Sequence, residues 1–234
     1  MSETALSPIL LSLQLAAVST TLLVLIATPL AYVLAAARFP GKSLIEALLN
    51  LPMALPPTVM GYYLLISMGP RGVVGRVWQT LTGGSLLFTF SGIVMAVTVC
   101  GLPYALQPMK AAFQKIDMRM LEAAYVLGLS KHQAFFRVVI PNSMSGMAAG
   151  AILVFLHTMG AFGLLLMVGG SIQGETKVAS IAMYEAVECM NYHEAGVIAL
   201  CLLPISYGFL VLVNRLNKEA HHAERYHEKT PALF

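Results

Sequence analysis

The sequence predicts an all-α, polytopic membrane bundle, and three observations lead there. Hydrophobic residues make up 58% of the 234 residues and charged ones only 11%, where globular domains carry about a quarter charged residues. The charges are also gathered. None falls in 4–37, 77–109, 138–174 or 195–214, and Glu46 stands alone in 43–70. A helix needs about 20 apolar residues to cross the hydrocarbon core, and each of these stretches is long enough. Irregular backbone facing lipid would leave its amides unpaired, so the stretches are helices. Finally, the basic residues lie on one side. Cytoplasmic loops are enriched in Lys and Arg. With the N-terminus outside and the C-terminus inside, every lysine and arginine but Arg71, Arg76 and Lys177 is cytoplasmic. The inner set is Arg38, Lys42, Lys110, Lys115, Arg119, Lys131, Arg137, Arg215, Lys218, Arg225 and Lys229.

Taken in order, the spans lie near 8–37, 44–68, 86–109, 145–168 and 194–214 of a single 1–234 transmembrane domain. The first has only Glu3 before it and is too long for a signal peptide, so it is expected to be retained. Its beginning, around Pro8 to Leu15, can lie in the interface. The second is interrupted by Pro52, Pro56 and Pro57 within LPMALPPTVMGYY. Proline removes helix hydrogen bonds, and carbonyls freed at membrane depth need a protein or water environment. That makes Pro56, Pro57, Thr58, Gly61 and Tyr62 candidates to line a pathway, with Thr158 and Phe162 of the fourth span. A kink made only for packing is the alternative. Residues 69–85 are external and glycine-rich, with Trp78 suited to the interface belt. Residues 171–193 are also external. Their VASIAMYEAVECM stretch carries Glu185 and Glu188, and a short surface helix fits it better than a sixth span.

Several features point to no chemistry. The chain has no GxxxxGK[ST] phosphate loop, HExxH, GxSxG or CxxC. Cys100, Cys189 and Cys201 follow no pairing or metal pattern, and packing accounts for them. His221, His222 and His227 sit among charges in a terminal tail and are expected to be solvated. His157 is either a functional intramembrane group or a neutral one bonded between helices. Gly146 and Gly150 form GxxxG, a close-packing pattern for membrane helices. No catalytic or metal-binding residue is expected.

The informative segment is the cytoplasmic loop 110–144. Its LEAAYVLGLSKHQAFFRVVIP stretch reads as a short helix ended by Gly128, then a second helix. Tyr125, Leu127, Leu129, Phe135 and Phe136 would be costly to leave in water, and an apolar patch with a polar rim marks a partner surface. The loop resembles the signature of ABC-importer permeases: EAA, three residues, Gly, nine residues, then I-x-L-P. Here it reads Glu122-Ala123-Ala124, Gly128, and Val138-Val139-Ile140-Pro141 at unbroken spacing. FPGKSLIEALLNLPMALPPTVMGYYLLISMGPRGVVG and GETKVASIAMYEAV are similar to molybdate-type permeases.

That resemblance implies a type I importer of molybdate or tungstate in a bacterial or archaeal cytoplasmic membrane. Its coupling helix would fit a separate ATPase subunit through Glu122, Ala123, Ala124, Gly128, Val138, Ile140 and Pro141. The other partners implied are a second permease copy, an extracytoplasmic solute-binding protein and membrane lipid, with no nucleic acid. ATP and magnesium would belong to the ATPase subunit, and this chain would bind no cofactor. Such permeases carry an acidic residue in a GEFG stretch, whereas this chain has Gly160-Ala161-Phe162-Gly163. That keeps sulfate-type permeases open. A gradient-driven transporter would need intramembrane carboxylates, for which Glu46 alone is poor support. The spans hold no Lys or Arg, as suits a conduit that must also release its anion.

Overall fold

The computed structural model describes residues 3–37 and 39–228, with side chains from 6 to 211 apart from 38. Arg38, Lys229 and the tail side chains, among them Arg215, Lys218, Arg225 and the three tail histidines, lie outside what is described. Among the described residues all regular structure is helical. In chain order the helices are α1 (Glu3–Ala36), α2 (Lys42–Ala54), α3 (Pro57–Met68), α4 (Val73–Thr82), α5 (Phe90–Gln114) and α6 (Met118–Val126). There follow α7 (Lys131–Ala134), a π-helical segment (Phe135–Val139), α8 (Ile140–Gly160), α9 (Gly163–Gly169), α10 (Ala179–Glu188) and α11 (Tyr192–Glu228).

Among the described residues, four helical stretches are long and apolar enough to cross a membrane: Leu6–Ala36, Phe90–Gln114, Lys131–Gly160 and Tyr192–Val211. The central packing unit is α1, α5 and α8. Lipid offers no hydrophobic drive between helices, so such units depend on small residues that let backbones approach. Ala27 and Ala31 of α1 and Ala105 of α5 are fully buried in one cluster with Leu23, Leu106, Met109 and Val154. Gly146 and Gly150 are the α8 side of this seam. A Cβ on Gly146 would sit 2.3 Å from Ala112 Cβ, and one on Gly150 would sit 2.9 Å from the Ala105 carbonyl oxygen. The GxxxG pair therefore packs α8 on α5 within the chain.

The remaining candidate crossing is a bent pair. The α2 and α3 helices meet at 108°. Two consecutive prolines cause the break, because a residue preceding proline is driven out of the α region. Leu55 (φ −89°, ψ 147°) and Pro56 (φ −57°, ψ 138°) are accordingly extended, and Pro57 opens α3 where its missing N–H costs nothing. At 13 and 12 residues the halves are about 20 and 18 Å long, so neither crosses alone. Together they do. Leu49 of α2 packs with the cytoplasmic-end cluster around Met109 and Phe113, while Met68 of α3 packs with Leu86 and Leu87 at the outer end. A broken span fits this better than a loop that returns to the side it left.

Three boundaries differ from the sequence expectation. The third span begins only at Phe90, where the Thr89 hydroxyl accepts from the Gly92 N–H at 3.2 Å, and it runs on to Gln114. The span expected near 145–168 is a helix from Lys131 that stops at Gly160, followed by the separate α9. Ala161 is extended (φ −67°, ψ 129°), and its carbonyl accepts from the Ser180 hydroxyl at 2.6 Å. That oxygen is thereby turned away from helix pairing. Finally, α10 has 10 residues, or about 15 Å of helix, so 178–190 makes no sixth span. It packs Ile181 and Ala179 against the ends of α1 and α11.

Candidate functional site

The α6 helix is positioned by both of its ends. Asp117 is the N-cap, its carboxylate accepting from the Arg119 N–H at 2.9 Å. At the other end Gly128 adopts φ +83°, in the left-handed region. There the Gly128 N–H donates to the Tyr125 carbonyl at 2.9 Å, and the Leu129 N–H to the Ala124 carbonyl at 3.0 Å. These paired reverse bonds close a glycine-ended helix and satisfy its last carbonyls. A Cβ on Gly128 would meet nothing within 4 Å. The backbone conformation alone thus demands glycine.

The chain then turns directly into α7. Ser130 and Gln133 form a capping box: the Gln133 N–H donates to Ser130 Oγ at 3.3 Å, and the Ser130 N–H to Gln133 Oε1 at 2.9 Å. Pro141 follows within the same long helix. Having no N–H and a ring that would strike the carbonyl four residues back, it forces a local adjustment. The adjustment is the π-helical segment, in which the Ile140 N–H reaches the Phe135 carbonyl five residues back. Asn142 Nδ2 donates to the Val138 carbonyl at 2.7 Å, taking up another acceptor there.

This wiring gives the segment two faces. Inward, Leu121 and Ala124 join Ala134, Val139, Ile116, Leu129 and Phe135 in the cluster that holds the cytoplasmic ends of α1 and α5. Tyr32 of α1 meets Phe135 edge-on at 4.8 Å and Phe113 at 5.7 Å. Outward, Met118, Glu122, Tyr125 and Val126 share a helical stripe and are exposed, and Leu127 and Phe136 are exposed beside it. Val126 and Leu127 are 87% and 79% exposed. Burial of apolar area is worth about 25 cal/mol per Å², so this face is built to be covered.

The sequence-predicted coupling residues therefore divide. Glu122, Ala123 and Gly128 are on the exposed side, Ala124 is buried, and Val138 packs with it in one cluster. Ile140 is half-buried and Pro141 exposed. Of the apolar residues expected on a partner surface, Leu129 and Phe135 instead face the bundle, while Tyr125, Leu127 and Phe136 stay out. Met118, Met120 and Val126 were missed. Helical spacing counted back from Tyr125 would have found Met118.

The pathway candidates gather only in part. Pro56, Pro57 and Thr58 are exposed at the break. A Cβ on Gly163 would lie 3.0 Å from Thr58 Cγ2, and one on Gly61 3.0 Å from Met167 Sδ, so α3 and α9 cross there in close contact. Tyr62 is exposed with its ring edge against Tyr63 at 5.8 Å. Phe162 packs on Tyr184 of α10 at 4.7 Å. Thr158 is buried, its hydroxyl donating to the Val154 carbonyl at 2.8 Å.

Other polar groups tie elements together. Glu46 of α2 lies 2.7 Å from Lys110 Nζ of α5, and one turn further along α2 Asn50 Oδ1 accepts from Gln107 Nε2 at 2.7 Å. His157 stacks on Tyr104 at 4.1 Å. On the outer side Lys177 pairs with Glu185 at 2.5 Å. That cation beside Glu185, with Ser171 as a second donor, holds the carboxyl below the usual range. Lys177 is thus neutralised by Glu185 at the outer surface. Among the described residues no three His, Cys, Asp or Glu side chains come together as a metal site would require.

The family model for the inner membrane component of binding-protein-dependent transport systems matches residues 27–219. The molybdenum transport system permease protein of Azotobacter vinelandii is 42% identical over 91% of this chain and 93% of its own length. Its Escherichia coli K12 counterpart is 31% identical over 88% and 89%. A sulfate transport system permease protein of the same strain is 30% identical over 80% of this chain and 67% of itself. Among solved structures, a bacterial ABC transporter importing the acidic polysaccharide alginate aligns with TM-score 0.72 at 16% identity, covering 95% of this chain and 80% of that one. The inward-facing MetNI methionine ABC transporter aligns with TM-score 0.68 at 15% identity over 94% and 99%. At these identities the two structures speak for the fold alone.

Proposed function

The chain belongs to the family of inner membrane components of binding-protein-dependent transport systems, and from that premise we propose that it is the permease subunit of an ATP-driven importer of molybdate or tungstate. The observation that carries the coupling part is the two-faced α6. Its inner residues Leu121 and Ala124 join the cluster shared with α1 and α5, and its outer face exposes apolar side chains around Glu122. A separate ATPase subunit is the partner that fits, engaging Glu122, Ala123 and the Gly128 turn. Ala124, Val138, Ile140 and Pro141 hold that surface in register. ATP and magnesium are used in that subunit, and this chain has no catalytic role. An extracytoplasmic binding protein delivers the anion to the outer side of the cytoplasmic membrane. A second permease copy completes the conduit, with Pro56, Pro57, Thr58, Gly61, Tyr62, Thr158 and Phe162 along the route.

The substrate class rests on relatedness: molybdenum permeases match over nearly their whole length at up to 42% identity, and sulfate permeases at 30% over less. Ala161 stands where molybdate-type permeases carry an acid, which keeps sulfate as the second reading. The test is uptake by the assembled transporter in vesicles. Labelled molybdate should accumulate only with ATP and the binding protein present, and tungstate should compete far better than sulfate. Preferential competition by sulfate would move the assignment to the sulfate class. ATP-independent accumulation would end the importer reading.

A further inference from the structure

We infer that α4 (Val73–Thr82) is an interfacial helix, lying in the outer leaflet of the surrounding membrane and engaging anionic phospholipid headgroups through Arg71 and Arg76. Three independent features of the helix carry this, and none depends on the transported substrate.

The first is the division of its faces. Val74 and Trp78, one turn apart, pack onto the cluster of Met68, Leu86 and Leu87 that closes the outer ends of α3 and α5. Beside them Val73, Val77 and Leu81 occupy successive turns and are 68%, 54% and 78% exposed. At 100° per residue these five positions fill one continuous apolar arc. Arg76, Gln79, Thr80 and Thr82 fill the remainder. Half of the apolar arc thus meets protein and half meets nothing in this chain. A helix of this kind lies flat, its apolar side sunk about 5–10 Å into the boundary between headgroups and acyl chains.

The second is position. The four residues of the Gly69–Gly72 turn are all that separate α4 from the end of α3, the outer half of the bent pair, and α5 begins at Phe90. The Gly75 backbone lies so close to the turn that an added Cβ would sit 2.1 Å from the Gly69 carbonyl oxygen. The helix is therefore pinned at the rim of the bundle, where hydrocarbon gives way to water. Trp78, the only tryptophan of the chain, belongs at that level.

The third is charge. Arg71 and Arg76 are exposed, and among the described residues neither forms an ion pair with Asp or Glu. Arg76 Nε donates to the Gly72 carbonyl at the start of its helix at 3.4 Å, and the residue is otherwise exposed. A planar guanidinium matches a phosphate oxygen pair. Lipid phosphates are the anions found at this depth, and a protein partner would leave the apolar arc without its lipid.

The experiment places a bimane label at Leu81→Cys in a Cys189→Ser background, within the complete transporter in phosphatidylcholine vesicles containing phosphatidylglycerol. A second label at Gly84→Cys reports the aqueous side. Spin-labelled lipids and aqueous iodide serve as quenchers. The inference expects the Leu81 label to be quenched more by lipid spin labels near the headgroup end than near the chain terminus, and to be shielded from iodide relative to Gly84. It also expects spin-labelled phosphatidylglycerol to quench about twofold more than the phosphatidylcholine analogue, with parity in an Arg71→Gln/Arg76→Gln variant. Equal iodide access at both sites, without lipid quenching, overturns the placement. Shielding that develops only when the binding protein is added also overturns it and assigns the face to that protein. Parity of the two lipids in the unmodified arginine background overturns the engagement of anionic headgroups.

Discussion

Gly128 concentrates the local energetics of the α6 segment in one dihedral angle. At φ +83° with open space around the missing Cβ, any substitution there is paid in backbone strain and none in collision. An L-residue in this region costs about 1–2 kcal/mol, and a β-branched one more, while Asn tolerates it better. That is a factor of about 5–30 in the population of the correctly ended helix. We therefore expect retention of the ATPase subunit in pull-downs to fall in the order Gly, Asn, Ala, Val at position 128, with membrane insertion unchanged throughout. Equal retention for Gly128→Asn and Gly128→Val would separate this turn from coupling. Glu122→Lys tests the neighbouring exposed charge. It should reduce retention without lowering the melting temperature of the chain alone, because the side chain faces away from the core. Such residues were legible because spacing plus the special demands of glycine and carboxylate identify them locally. Ala124 and Ala123 were not separable from sequence. Both are small, and only the docked orientation of α6 shows that the first is buried and the second exposed.

Among elements, the α5–α8 seam shows how a membrane bundle without a hydrophobic drive becomes specific. Gly146 brings α8 against Ala112 and the Pro108 carbonyl, which a Cβ would approach to 2.3 and 2.8 Å. Gly146→Leu must push the helices apart, and overpacking of this kind costs about 1–3 kcal/mol. Gly196 in α11 has nothing within 4 Å of its Cβ position, so Gly196→Leu is the matched control. Thermal unfolding of the solubilised chain should show a lowered midpoint for the first and little change for the second. If both midpoints fall alike, the seam is not where packing is decided. Element existence was readable where the cause is local, as at Leu55-Pro56-Pro57, where two prolines dictate the bend. The end of α8 was not readable. It depends on the Ser180 hydroxyl reaching the Ala161 carbonyl from 19 residues away, and Gly160 and Gly163 signal a weak point without saying that the chain breaks there. The π-helical segment was likewise hidden, since Pro141 near a helix start reads as an ordinary first-turn proline.

Across the whole molecule, the cytoplasmic surface and the core are one body. The inner face of α6 lies in the same cluster as Leu23, Ala27 and Ala31 of α1 and Leu106, Met109 and Phe113 of α5, while α3 and α9 form a second cluster, with Met68 and Val168, that also holds Ala96 and Cys100 of α5. Orientation follows the basic residues, so a reporter inserted near Lys131 should be cytoplasmic and one near Gly84 external; finding both on one side would end this topology. Given that arrangement, a displacement of α6 by a partner reaches the spans through α7 and the π-helical segment, on which α6 packs, and Leu121 is the largest side chain that α6 itself contributes to the shared cluster. It is 9% exposed, so Leu121→Ala removes packing at the edge of a core and should cost about 2 kcal/mol, the lower end for such truncations. The outward stripe of Met118, Glu122, Tyr125 and Val126 is untouched by that change. The ATPase subunit should therefore remain bound and continue to hydrolyse ATP, while its motion is absorbed by a loosened seat instead of moving α1 and α5. The measurable consequence is a fall in anion taken up per ATP hydrolysed, by several fold, at unchanged subunit stoichiometry. Glu122→Lys should do the reverse, losing the subunit while leaving the seat intact. A Leu121→Ala transporter that keeps the normal uptake ratio would mean that force reaches the spans by another route, and the tie of Glu46 and Asn50 to Lys110 and Gln107 would be the next connection to cut.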